Sequence, residues 1–187
     1  YACLKPESDI IFENILINPR RIGFIKTLNK MGARISIENK KSKYGEKVGS
    51  IRVKYSGRLK NIQVDEQTVR DMIDEIPILS IVAALSKGVM TISGISELKL
   101  KESNRVLAIV SNLRSMGCDI KEGNEAVSIK GQSYLYNTNI KTYSDHRIAM
   151  AFHIASFFSK HTMIIDDLEC IKISFPDFFK KLDEIIL

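Results

Sequence analysis

A chain of 187 residues makes one domain of ordinary size or two small ones. Hydrophobic residues at 44% and charged ones at 27% sit near globular averages, which excludes a disordered, collagen-like or membrane-spanning protein. The net charge of +6 suits an anionic partner, either nucleic acid or a phosphorylated metabolite, without choosing between them. The longest nearly apolar run, residues 76–86, contains Pro77 and falls far short of the roughly 20 residues that span a bilayer. Tyr1 is followed closely by Lys5, Glu7 and Asp9, so the start lacks a signal-peptide pattern and reads as part of a longer chain. Cys3, Cys118 and Cys170 are odd in number and widely spaced, which fits a reducing cytoplasm better than a disulfide framework or structural zinc.

In chain order, apolar alternation predicts a strand over 10–17, broken by Asn18-Pro19. A helix through Ile22, Ile25, Leu28 and Met31 stops at Gly32, and a strand covers 33–37. The polar stretch 39–49, with Lys40, Lys41 and Lys43, reads as a solvated hairpin tip in preference to a binding patch. Strands at 50–55 and 61–64 end the first block, and a helical stretch over 66–73 opens the second. Pro77 lacks an N–H that a first helical turn would leave unpaired anyway, so it starts a helix ending at Lys87-Gly88. That helix is apolar on nearly every side, which predicts that it is buried inside the domain.

Next come a strand over 89–93, a turn at Gly94, an extended piece over 97–99 and a helix over 102–116. Strands over 119–121 and 126–129 flank the hairpin turn Glu122-Gly123-Asn124. The third block holds a helix over 145–158, a strand over 162–165 and a last helix over 176–186. Two helix exits, at 28–35 and 113–120, share the pattern L-x-x-M-G-[AC]-x-I and suggest an internal repeat. The class is therefore α/β, with mixed rather than all-parallel sheets.

Three polar clusters fall at junctions between elements, where binding residues collect. Asp74-Glu75 precedes the buried helix, so either carboxylate is a helix cap or a rigidly held general base. In the run from Lys99 to Arg105, Glu102 and Arg105 are three apart and by themselves suit a surface ion pair. In Tyr143-Ser144-Asp145-His146-Arg147, Asp145 is placed to cap a helix whose first turn then carries His146 and Arg147. Cations there oppose the helix dipole unless an anion sits between them, which hints at an anion site. His146 and His153 are seven apart with no matching carboxylate or cysteine, a poor metal pattern, and His161 reads as an exposed strand start. With 7% aromatics, nucleic-acid binding has charge in its favour and little else.

Taken together and in order, these clusters resemble the signatures of the 5-enolpyruvylshikimate-3-phosphate synthase family. Residues 101–105 resemble K-E-[ST]-D-R, residues 145–150 match D-H-R-[IM]-A-M, and Asp74-Glu75-Ile76-Pro77 resembles D-E-[IL]-P. Asn18-Pro19-Arg20-Arg21-Ile22-Gly23, Met31-Gly32-Ala33 and Ser174-Phe175-Pro176-Asp177-Phe178 fall where the family has N-P-x-R-x-G, M-G-A and S-F-P-x-F. The resemblance implies an inside-out α/β barrel domain of three βαβαββ units, about 1–65, 66–132 and 133–187, with helices inside and sheets facing solvent. It implies the carboxy-terminal domain alone, with an amino-terminal half needed to complete the site.

The implied reaction transfers the enolpyruvyl group of phosphoenolpyruvate to the 5-hydroxyl of shikimate 3-phosphate and releases phosphate, with no metal or organic cofactor. By resemblance Asp74 holds the hydroxyls and is the candidate base, and Glu102 exchanges a proton with the methylene carbon. Glu97 and Lys101 match contacts to shikimate 3-phosphate. Arg105 and Arg147 match the pair that grips phosphoenolpyruvate, with His146 beside its phosphate. Three departures stand out. Asn104 replaces an aspartate, with the expected result of a looser Arg105, and Lys99 replaces an arginine. Ile173 stands where some members have a ligand-binding lysine, and Lys172 is one place off, facing the other way if that segment is extended. Such a chain is expected to be cytoplasmic and inactive alone; the alternative is a folded non-catalytic remnant with residual anion binding.

Overall fold

Apolar alternation at the start of the chain forms strand β1 (Asp9–Leu16), and Asn18-Pro19 ends it before helix α1 (Gly23–Lys30). The computed structural model describes residues 1–160 and 162–186, so the reading of His161 lies outside the described residues. Strands β2 (Arg34–Lys43) and β3 (Glu46–Lys54) are longer than their sequence suggests. The lysine-rich stretch is strand almost to its end, because the turn shrinks to Tyr44-Gly45. Both turn residues have positive φ, 52° and 80°, as two-residue hairpins require to match the strand twist. Strands β1 and β2 flank β3 in an antiparallel sheet. Each outer strand has a bulge containing a left-handed asparagine, Asn14 or Asn39, a conformation that this side chain tolerates.

The middle of the chain runs β4 (Gln63–Val64), α2 (Glu66–Arg70), a 3-10 turn at Ile73–Glu75 and α3 (Ile76–Leu85). It continues through β5 (Val89–Ser93), a second 3-10 turn at Ser96–Leu100, α4 (Arg105–Ser115), β6 (Ile120–Glu122) and β7 (Ala126–Lys130). The predicted extended piece at 97–99 is thus a turn, closed by the Leu98 N–H on the Ile95 carbonyl (3.0 Å), with Leu98 buried beneath it. The sheet order is β4-β5-β7-β6, parallel at β4–β5 and antiparallel elsewhere. In sequence β4 belongs to the first predicted unit, yet it pairs with β5 in the second.

The last part holds β8 (Asn139–Ile140), α5 (His146–Ser156), β9 (Ile164–Ile165), α6 (Cys170–Ser174) and α7 (Phe178–Ile186). Strand β8 pairs in parallel with β9; two residues are too short to leave a periodic signal. Among the described residues, only the middle stretch runs through β-α-β-α-β-β in full. The three sheets stay open and separate, so the described strands do not close the barrel expected from the resemblance.

Helix α3 lies at the centre. Every one of its residues except Ile78 is buried, and it packs against α4, α5 and β7. Its buried hydroxyl Ser80 donates to the Ile76 carbonyl (2.8 Å), so that hydroxyl is not stranded in the apolar interior. Sheet residues take the outside instead, and β1 exposes Ile11, Phe12, Ile15 and Leu16. The two rhyming helix exits are the same structure. Gly32 and Gly117 have φ of 97° and 79°, and the following N–H of Ala33 or Cys118 reaches back to the carbonyl of Leu28 or Leu113 at 2.9 Å. No helix among the described residues is long and apolar enough to cross a membrane. Leu79→Ala, at a fully buried position of α3, should cost about 2–5 kcal/mol in urea unfolding, while Lys41→Ala on exposed β2 should stay within about 0.5 kcal/mol.

Candidate active site

Helices α3, α4 and α5 pack on one another, and the residues at their N-terminal ends meet in one network of ion pairs. At its centre is Arg105, the first residue of α4, with a side chain wholly removed from solvent. Its Nε donates to Asp145 Oδ2 (2.9 Å), Nη1 to Asp74 Oδ1 (3.0 Å) and Nη2 to Glu102 Oε2 (2.6 Å). A buried guanidinium needs partners in this number, since an unpaired charge in the interior costs several kcal/mol. Burial works against its charge, but the carboxylates around it outweigh that and raise its pKa.

Asp145 is equally buried. One oxygen takes Arg105 Nε and Ser103 Oγ (3.0 Å), and the other takes the backbone N–H of Arg147 (2.9 Å) and Ile148 (3.3 Å). It is thus the cap of α5 and the clamp of Arg105 at once. Burial alone would raise its pKa; hydrogen bonding and charge from Arg105, with the capped N–H, bring it below its ordinary value. The loop before it is strained: Tyr143 and Ser144 both lie in the left-handed region, at φ of 56° and 54°. Thr142 anchors that loop by donating its N–H (2.9 Å) and hydroxyl (2.7 Å) to Asp166 Oδ1.

Asp74 and Glu75 are not helix caps: α3 has no side-chain cap bond, and Pro77 occupies its first turn. Asp74 is turned toward the arginines instead, and it bridges Arg105 to Arg147 (Nη2 to Oδ2, 3.3 Å). Arg147 Nη1 also donates to the Asp74 carbonyl (3.3 Å) and lies 4.0 Å from Glu75 Oε1. Burial pushes the Glu75 pKa up; Arg147 opposes this and Asp74 adds to it. The Arg147 cation in the first turn of α5 is therefore balanced by carboxylates of the chain itself.

Of the residues picked out from the sequence, Asp74, Glu102, Arg105 and Arg147 are directly joined. Lys101 and Glu97 pair with each other (2.7 Å) in the adjoining turn, and His146 begins α5 beside Arg147 but outside the hydrogen-bonded network. Helix α4 begins at Arg105 rather than at 102, which frees Ser103 to reach Asp145 and Glu102 to reach Arg105. Asn104 does not loosen Arg105; its Oδ1 accepts from the Leu107 N–H (3.0 Å), a capping role that asparagine and aspartate fill equally. Lys99 pairs with Glu122 (3.5 Å). Lys172 and Ile173 lie on helix α6, not an extended segment, so they are about 100° apart rather than opposed, and Lys172 pairs with Glu169 (2.7 Å). His153 packs edge-on against Phe157, Phe178 and Phe179. Sequence reasoning missed Ser103, Thr142 and Asp166, and saw only the cap in Asp145; partners 40 residues apart leave no local signal.

Two small cavities meet at Asp74-Glu75. One, about 200 Å³, is bounded by Arg147, Pro77, Met150 and Phe178; the other, about 210 Å³, by Arg20, Arg21 and Arg70. A larger groove of about 950 Å³ between β1 and α7 touches none of the networked arginines and carboxylates. Asp74 and Glu75 face both small cavities, with Arg147 in one and Arg20, Arg21 and Arg70 in the other, which places proton acceptors beside cations suited to a phosphate or carboxylate; Arg105 lies buried behind them.

A protein-family model described as EPSP synthase (3-phosphoshikimate 1-carboxyvinyltransferase) matches residues 1–182. The chain is 40% identical to the 3-phosphoshikimate 1-carboxyvinyltransferase of Persephonella marina over 99% of its own length and 43% of that protein's. It is 42% identical to the Thermodesulfovibrio yellowstonii protein of the same name, over 97% of its own length and 42% of that protein's. The chain thus spans about two fifths of the curated relatives it matches. Among solved structures, EPSP synthase from Acinetobacter baumannii superposes with a TM-score of 0.93 at 32% identity, over 98% of this chain and 43% of that one. The enolpyruvyl transferase NikO from Streptomyces tendae shares the fold alone, with a TM-score of 0.74 at 12% identity, over 98% of this chain and 40% of that one.

Asp145→Ala should cost about 3–5 kcal/mol at neutral pH by leaving Arg105 short of its one fully buried partner. The Asp145 carboxyl titrates lower when folded than its ordinary 3.8, so its contribution is complete above that value and lost as pH falls through the folded one. Urea unfolding should accordingly show the gap between wild type and variant closing as pH drops below 3.8.

Proposed function

Because the chain belongs to the EPSP synthase family, we propose that it contributes the carboxy-terminal share of a site that joins phosphoenolpyruvate to shikimate 3-phosphate. The observation that carries this reading is the joining of Asp74, Glu102, Arg105 and Arg147 through hydrogen bonds and ion pairs of 2.6–3.3 Å. In this reading Asp74 accepts the proton of the 5-hydroxyl as its oxygen bonds to C2 of phosphoenolpyruvate. Glu102 delivers a proton to the methylene carbon, giving a tetrahedral intermediate. Loss of a proton from that carbon then re-forms the double bond as the C2–O bond to phosphate breaks.

Arg105 and Arg147 hold the phosphoenolpyruvate anions, with His146 beside the phosphate, while Lys101 and Glu97 face shikimate 3-phosphate. Pairing to carboxylates of the chain holds both guanidiniums in a fixed orientation, from which they exchange partners with the incoming anion. An amino-terminal half supplies the remaining cations, and the setting is cytoplasmic.

Phosphate release should be near background for this chain alone and appear on mixing with the amino-terminal half of a relative. In that mixture Asp74→Asn should lose roughly a hundred- to ten-thousand-fold in kcat. Full turnover by the chain alone would remove the need for a second half. A silent mixture, together with calorimetry in which shikimate 3-phosphate does not bind, would favour a folded non-catalytic remnant.

A further inference from the structure

Arg147 occupies the first turn of α5, where a cation opposes the helix dipole and needs a negative partner. Two adjacent residues provide it unequally. Asp74 binds at 3.3 Å through both its carboxylate and its carbonyl, and also serves Arg105, so it is fixed from two sides. Glu75 reaches Arg147 only at 4.0 Å, the outer limit of an ion pair, and makes no second ion pair among the described residues. It also stands at the wall shared by the two small cavities, one of which carries Arg147 into open space of about 200 Å³. An anion entering that cavity meets Arg147 on the side where Glu75 already lies.

We propose that Glu75 is a positioning residue that competes with the incoming anion for Arg147 and gives up the guanidinium when it takes a proton. The inference deepens the reading of Arg147 as an anion-gripping residue and rests on it. The charged groups facing Glu75 are Asp74 on its own turn, Arg147 on α5 and Arg21 before α1, with Arg20, Arg70 and Asp71 around the second cavity. Burial, helped by Asp74, already moves the Glu75 pKa upward against the pull of Arg147, so Glu75 takes up a proton more readily than an ordinary glutamate. The ligand class is a small oxyanion bearing carboxylate, phosphate or sulfate oxygens.

Sulfate is the probe, because its charge does not change between about pH 5 and pH 8. Calorimetric titration of the whole chain at about pH 8 should give sulfate binding roughly two- to fivefold tighter for Glu75→Gln than for wild type, the effect of removing one partly exposed charge. Glu75→Ala should behave alike, and the difference should narrow as the pH is lowered toward about 5, because wild-type Glu75 progressively takes up a proton. His146 and Asp74 are common to both proteins, so the difference at each pH isolates Glu75. In an Arg147→Ala background the gain should be absent. The proposal is overturned if neither variant binds more tightly at pH 8, sulfate binding to none of them included. It is equally overturned if the gain persists without Arg147 or does not narrow as the pH falls. If the gain appears but phosphoenolpyruvate and shikimate 3-phosphate bind no better than sulfate even to the chain mixed with the amino-terminal half of a relative, the competition stands and the transferase reading falls.

Discussion

A guanidinium and a carboxylate buried together, Arg105 and Asp145, hold the rest of the site in place. Desolvating both charges is expensive, and the cost is offset only when every donor and lone pair is used. That demand explains the details around them. Glu102 and Asp74 must turn toward Arg105, Ser103 must leave the helix to reach Asp145, and α5 must begin where its first N–H groups can satisfy the same carboxylate. The left-handed pair Tyr143 and Ser144 is the backbone strain accepted to place Asp145 there, held in turn by Thr142 on Asp166.

The second constraint is the apolar helix α3. A helix with no polar face has to be surrounded, so α4, α5 and β7 pack around it, and the sheets are left to face solvent. Because the three helices share one core, their N-terminal ends are neighbours, and each delivers a polar cluster to the same place. The arrangement converts hydrophobic packing into site geometry: moving α3 relative to α5 would move Asp74 relative to Arg147.

Charge acquires a different meaning in this setting. The excess of +6 suggested a partner of opposite sign, yet Lys101, Arg105 and Arg147 are each already paired with carboxylates of the chain. The site is oriented without a ligand, and an anion that enters it exchanges partners rather than filling a vacuum of positive charge. Such exchange favours specificity over raw affinity, because only a ligand that re-satisfies both the arginines and the released carboxylates gains by it.

Much of this protein was legible in its residues. The burial of α3 followed from its uniform apolarity, both helix exits from their shared pattern, and the capping role of Asp145 from its place before an apolar helical run. The motif residues Asp74, Glu102, Arg105 and Arg147 were identified by their resemblance to one family, and the structure joins them. Other features were decided only by tertiary structure. Asp74 sits where a cap would sit, but Arg105 and Arg147 draw it away, and the partner of the exposed Glu102 is a wholly buried Arg105 rather than a surface cation. Periodicity reports which side of an element meets the core and local spacing reports caps and turns. Neither reports the pairing of Arg105 with Asp145 across 40 residues, since that bond exists only after the helices carrying them have been packed against α3.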